Sequence, residues 1–208
     1  MTSNVIVFDP NYFNNKGNKR SRLSSEPNDP IVAFVIRSCD WAVLCSKSGN
    51  VTPVIEGQPL REGDFILTNS EECSLVVGFT DGSRVGLSGV GQLSIEEFKL
   101  DLTRGEGLQS LNLHYGYLRF SPGTISIGNP DAARISYQKT TVTLRGATAE
   151  VVVDAETDQI SIGVIPNDDG FLGQVEICSP YGSAILDRER ELAVVDSHSE
   201  MIDKFAKP

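Results

Sequence analysis

The chain predicts an all-β fold, and three observations carry the prediction. Apolar and polar residues alternate in short runs, the runs recur at spacings of about ten residues between turn signals, and helical periodicity is almost absent. Many short antiparallel strands in one domain follow from this, arranged either as a two-layer β-sandwich or as a coiled, solenoid-like sheet. The expected organisation is an N-terminal arm over residues 1–29, a β-domain over 30–196 and a C-terminal tail over 197–208.

Met1 to Asp29 is rich in Asn and carries a basic cluster at Lys16, Lys19, Arg20 and Arg22. Its small apolar content predicts a mobile arm, and the four cations are the residues expected to touch a partner or a neighbouring copy. A charged start followed by an apolar core and a small-residue cleavage site is missing, so no ordinary secretory signal is expected and a cytoplasmic or assembly-bound location is favoured, export by another route being the alternative. Ile31–Ile36 and Trp41–Cys45 read as buried strand, two pieces of one bent segment, with Trp41 in the core. Arg37 and Asp40 interrupt them, and a membrane span needs roughly 20 mostly apolar residues.

Val54 to Leu87 specifies the next strands most clearly. Gly63-Asp64 turns the chain into Phe65-Ile66-Leu67, and Asn69-Ser70 breaks it. Leu75, Val77 and Phe79 alternate up to Asp81-Gly82, a hairpin signal that leads into Val85 and Leu87. The apolar phase slips by one at Glu96-Glu97, which predicts a bulge. Leu111, Leu113, Leu118 and Phe120 continue, then Ile125 and Ile127, Ile135 and Tyr137, Val142 and Leu144, Val151 and Val153, Ile160 and Ile162, and Val175 and Ile177. Asp187 to Glu191 reads as a charged turn before a last strand at Leu192–Val195, and Met201–Lys207 as a short helix.

The series Val54-x-x-Gly57-x-x-Leu60-x-x-Gly63-Asp64, followed by Phe79-x-Asp81-Gly82-Ser83, resembles the FecR-type domain of iron-citrate uptake regulators. The likeness continues at Tyr115 to Phe120, at Gly123-Thr124-Ile125 and at Thr141 to Thr148, and it covers residues 31–195. Ala147 stands between Gly146 and Thr148 where the family runs Gly into Thr, and Ser38-Cys39 replaces an expected glycine. The resemblance implies a coiled β-domain, and it points to Arg119 and Arg145, with Gly146, as residues that fix corners through backbone carbonyls. It also implies cell-envelope signalling, although no transmembrane helix is visible in the sequence.

Chemistry is sparse. The histidines are His114, alternating with apolar neighbours on a strand, and His198 in a polar stretch, and neither is placed for general-base work. Cys39, Cys45, Cys73 and Cys178 contain no C-x-x-C pair, so four isolated thiols and a reducing compartment are expected, with no metal. Asp154–Asp158 and Asp168-Asp169-Gly170 are turns rather than calcium loops. No catalytic residue and no cofactor are predicted. A net charge of -10 disfavours nucleic acid and anionic membrane as partners. The expected function is a non-catalytic protein-protein interaction or structural module of a bacterial or phage-derived assembly, as one copy or a homo-oligomer. Its alternatives are an envelope signalling domain with a membrane partner and a carbohydrate or small-ligand binder.

Overall fold

The computed structural model of the chain describes residues 29–206 except 102, 105, 155 and 197–199. The first eight strands are β1 (Ile31–Arg37), β2 (Ala42–Cys45), β3 (Val51–Pro53), β4 (Pro59–Arg61), β5 (Phe65–Thr68), β6 (Ser74–Phe79), β7 (Arg84–Asp101) and β8 (Glu106–Ser121). A short helix α1 (Thr124–Gly128) follows, then β9 (Ala133–Tyr137), β10 (Thr140–Arg145), β11 (Thr148–Asp154) and β12 (Gln159–Ile165). The chain closes with β13 (Gln174–Ser179), β14 (Gly182–Leu186), β15 (Glu191–Asp196) and β16 (Met201–Ala206).

All sixteen strands belong to one open, mixed sheet, in which the β8–β9 pair is parallel and the other named pairs are antiparallel. The long hairpin β7–β8 is its spine, and it bends in the middle. One half of the spine carries β6, β1 and β4 on one flank and β11, β12, β15 and β16 on the other. The other half carries β5, β2 and β3, and on its far flank β9, β10, β13 and β14. The sheet thus folds over into two layers, and the inward residues of both form one apolar core. Phe79 of the first layer stacks on Phe98 of the second, with ring centroids 5.5 Å apart. Both expected architectures are present together: the layers make a sandwich, while successive hairpins after β8 alternate between them and make a coil.

The bend in the spine has a local cause. Pairing of β7 with β8 lapses between Ser88 and Gln92. There Gly116, at φ 103°, runs so close to β7 that a Cβ would lie 2.7 Å from Gly91 Cα and from the Val90 carbonyl. Only glycine permits that approach. A further register shift, between Ile95 and Glu97, is the expected bulge.

Five expectations need correction. Ile31–Ile36 and Trp41–Cys45 are two strands in different layers, because the turn at Asp40-Trp41 carries the chain across the fold line. Trp41 lies on that turn and is 64% exposed, not core. Ile125 and Ile127 belong to α1, where Ile125 is buried against Gly107 and Ile127 faces out. Met201–Ala206 is a strand, since it pairs with β15 from Glu191–Ala206 to Asp196–Met201, and that ladder outweighs its helical composition. Cys39 and Cys73 form a disulfide with Cα atoms 5.5 Å apart, so they are not isolated thiols. It joins the β1–β2 and β5–β6 crossovers, both on the fold line, while Cys45 and Cys178 stay free, one buried and one exposed.

Candidate functional site

The motif residues sit where the chain crosses or closes the layers. Gly63, at φ 86°, donates its amide to the Ile95 carbonyl at 2.7 Å and turns β4 into β5. The buried Asp64 carboxylate accepts the Arg61 amide at 2.8 Å and the Lys47 amide at 3.3 Å. Burial pushes this carboxyl above its ordinary value, against the two amides that favour its charge. Asp81 accepts the Ser83 amide at 3.0 Å and its hydroxyl at 2.6 Å, Gly82 supplies the positive φ of the turn, and the Asp81 carbonyl accepts the Thr124 amide at 2.9 Å. The β6–β7 turn is thereby tied to α1.

Arg145 holds carboxylates rather than carbonyls. Its Nε donates to Asp131 Oδ1 at 2.8 Å and its Nη2 to Glu176 Oε2 at 2.7 Å, which links the turn before β9 to β13. The next residue, Gly146, takes φ 68° to start the crossing into β11, and Asn167 clamps it by donating to its carbonyl at 2.7 Å. Arg119 is not at a corner. It lies within β8, opposite Gly86 and Glu150, and is exposed. Lys16, Lys19, Arg20 and Arg22 lie outside the described residues.

Residue spacing alone does not reveal one polar group on the outer face of the second layer. Ser94 Oγ donates to Glu96 Oε1 at 2.5 Å and lies 3.2 Å from His114 Nε2, with the Phe65 ring 5.9 Å from the imidazole. Cross-strand register brings them together, Phe65 opposite Ser94 and Ser94 opposite Asn112. The geometry is not that of a nucleophile and base. The one proton of Ser94 is committed to Glu96, so it is not held by the imidazole, and the acid sits on the serine rather than on the far ring nitrogen. Burial holds the His114 pKa below the usual imidazole value, with Glu96 opposing.

The two ends of the stack differ. At the C-terminal end, Glu191 is buried, and its carboxylate accepts Lys204 Nζ at 3.0 Å and the amides of Asp187 and Arg188 at 2.9 and 3.1 Å. Burial pushes the Glu191 carboxyl up, but these partners hold it below its ordinary value. Lys204 also donates to the Ile185 carbonyl at 2.7 Å, so this polar latch spans the layers.

The N-terminal end is apolar. Of the large apolar side chains exposed among the described residues, Ile31, Phe34, Ile36, Trp41, Val51 and Ile55 fall in the first three strands and their turns, while Tyr181, Ile185, Met201 and Phe205 lie towards the other end. Backbone bonds draw several of these together: the Val35 amide donates to the Gln58 carbonyl, the Ser38 hydroxyl to the Val54 carbonyl and the Val54 amide to the Ala42 carbonyl. Gly78 leaves the space over which Ile36 lies. Beside this surface a concavity of about 350 Å³ is lined by Asp29, Lys47, Asn50, Arg61, Glu62 and Asp64. The end strands β3 and β4 are three residues long and contain Pro53 and Pro59, which blunts them against strand addition.

Ligand and metal sites are less developed. A cleft of about 120 Å³ between hairpin tips is lined by Tyr137, Gln138, Asp158 and Tyr181, well below the usual ligand-pocket size of roughly 300 Å³ or more. Tyr137 donates to Asp158 at 2.6 Å, and burial followed by that bond raises its pKa to about 12. Among the described residues no cluster of three or more His, Cys, Asp or Glu could hold a metal, and no helix is long and apolar enough to cross a membrane.

No family model and no curated protein matches the chain. Its fold is shared with two solved structures of a candidate anti-sigma factor from Parabacteroides distasonis, at 1.65 and 2.50 Å resolution, each 16% identical, with TM-scores of 0.50 and 0.49. The match covers 66% of this chain and 57% of that one, so the chain spans a little over half the length of its structural relative.

Proposed function

We propose that this chain is a non-catalytic regulatory domain, FecR-like in kind, that acts by holding a protein partner at the N-terminal end of its stack. The observation that carries the reading is the concentration of exposed apolar side chains in the first three strands and their turns, Ile31, Phe34, Ile36, Trp41 and Ile55, beside blunted edges. Isolated exposed apolar residues are ordinary, but several on neighbouring elements at one end of a sheet favour a docking surface there. The prolines at this end favour contact through side chains over addition of a partner strand.

Signalling is preferred to a structural role in an assembly. The Cys39–Cys73 disulfide suits an oxidising, extracytoplasmic compartment and speaks against the reducing one read from the cysteine spacing. The shared fold with a candidate anti-sigma factor supports the same preference. A photo-crosslinking residue placed at Phe34, and as a control at Ser183 on the opposite end, tests the reading in the source cells. One defined partner captured from Phe34 alone is the expected outcome. Equal capture from both positions, or a Cys39–Cys73 pair that thiol trapping finds reduced in the cell, refutes it.

A further inference from the structure

We infer that the outer face of the first layer is a pairing surface for a second copy of this chain, and that two copies stack there sheet on sheet about a two-fold axis. The inference does not rest on the partner reading above.

Residues opposite each other in a ladder share a face, so the register defines this one. Its middle row runs from Val76 through Gly86, Arg119 and Glu150 to Leu192 and Phe205. The next row carries Tyr117, Val152, Ser161 and Val194. Phe34 and Ile36 extend the face on β1, and with Val152 and Phe205 they are exposed. The strands of this layer are therefore apolar on both sides, which the runs Leu75-Val76-Val77 and Val151-Val152-Val153 record in the sequence. The second layer differs: Asn112 and His114, Arg134 and Ser136, and Thr141 and Arg145 make its outer face polar. An antiparallel sheet with one wet side alternates, whereas one covered on both sides reads as an unbroken apolar run. Among the described residues no third layer covers the first.

Charge selects a second copy as the cover. On this face the cations Arg84 and Arg119 stand on β7 and β8, while the acids Glu150, Asp154, Asp196 and Asp203 stand on β11, β15 and β16. A two-fold axis running along the strands between β8 and β11 lays the basic half of each copy on the acidic half of the other. It sets β8 over β11, β7 over β12, β6 over β15 and β1 over β16. Aligned sheets cross at about 30°, so the match is closest near the axis, where Arg119 of one copy meets Glu150 of the other and Tyr117 meets Val152. Farther out Val76 meets Leu192. Gly86 and Gly163 keep the face flat enough for a sheet to approach. The eight strands from β1 to β16, spaced about 4.8 Å apart, and rows spanning about 14 Å give roughly 500 Å² per copy, or about 1,000 Å² in all, the lower bound of a specific interface. Trp41 and Ile55 belong to turns outside these strands and stay open to another partner.

Sedimentation equilibrium of the purified full chain tests the inference, in a Cys178→Ser background so that the exposed thiol cannot link copies. A dimer that forms by about 100 micromolar and dissociates on dilution is expected. Val152→Lys should weaken it at least about tenfold, and Thr141→Lys on the polar face should not, with thermal melts showing that both variants fold. Arg119→Glu and Glu150→Arg should each be monomeric alone and pair when mixed, because only contact between copies brings the two altered charges together. A monomer at every concentration overturns the inference, as does a dimer indifferent to Val152→Lys or a mixture that stays monomeric. The partner reading fails separately: a crosslinker at Phe34 that captures only a second copy leaves the dimer standing and the foreign partner without support.

Discussion

Removing the Cys39–Cys73 disulfide, as the C39A/C73A variant, should destabilise the protein by about 4 kcal/mol. The bond closes a loop with a sequence separation of 34 residues. In the chain-entropy account such a closure removes roughly 12–13 cal/mol/K from the unfolded ensemble, which at 25 °C is about 3.8 kcal/mol. The native structure should lose little else, because strand pairing on both sides of the bond survives: β1 stays bonded to β6 and β2 to β5. With a urea slope of about 2 kcal/mol/M the midpoint falls by roughly 2 M. Urea unfolding followed by far-ultraviolet circular dichroism measures it, with the wild type under reductant expected to reach the same midpoint as the variant. A midpoint within about 0.3 M of the oxidised wild type would refute the loop argument, as would a change in slope large enough to absorb the effect.

Three further outcomes follow from the geometry. His114 has a native pKa below its unfolded value near 6.5, so below that pH the unfolded chain binds more protons; stability should decline from pH 6.5 towards the native pKa, and comparison with H114Q by thermal melts should show that component vanish. Gly123→Ala would place a Cβ 2.4 Å from the Ser83 amide nitrogen and 2.5 Å from the Asp81 carbonyl, which should cost about 2 kcal/mol or more in chemical denaturation, whereas a cost under about 0.5 kcal/mol would mean that this junction yields. Arg145→Met should lower the melting temperature through loss of two carboxylate contacts, while Arg119→Met should leave it nearly unchanged; the reverse ranking would contradict the placement of both side chains.

What could be read from the sequence was local. Leu75, Val77 and Phe79 announce a strand because one face of β6 meets the core, and Asp81-Gly82 announces its turn because few other pairs adopt it. The layer to which a strand belongs left no trace, since period two is the same in both. That is why Ile31–Ile36 and Trp41–Cys45 looked like one segment and why Trp41 looked buried. Pairing across 34 residues is invisible to local pattern, and so was the Cys39–Cys73 bond. Met201–Ala206 misled by composition, because its strand state depends on β15 lying alongside. The candidate docking surface was hidden for the same reason: Phe34 and Ile36 stand in an unbroken apolar run that reads as core throughout, and only their place on the outer face of β1, with Ile36 lying over Gly78, leaves them exposed.

The bent hairpin β7–β8 gives the molecule a centre from which strands extend on both flanks, each bonded mainly to its immediate neighbours. Opening such a body need not be all or none. Amide exchange should be slowest at Leu87, Leu118 and Phe120 and quicken outward, so a partner gripping the first strands could pry them loose at modest cost while the spine stays shut. Force or binding applied at one extremity would then fade before reaching the other, which suits a part that must yield at its tip without coming apart.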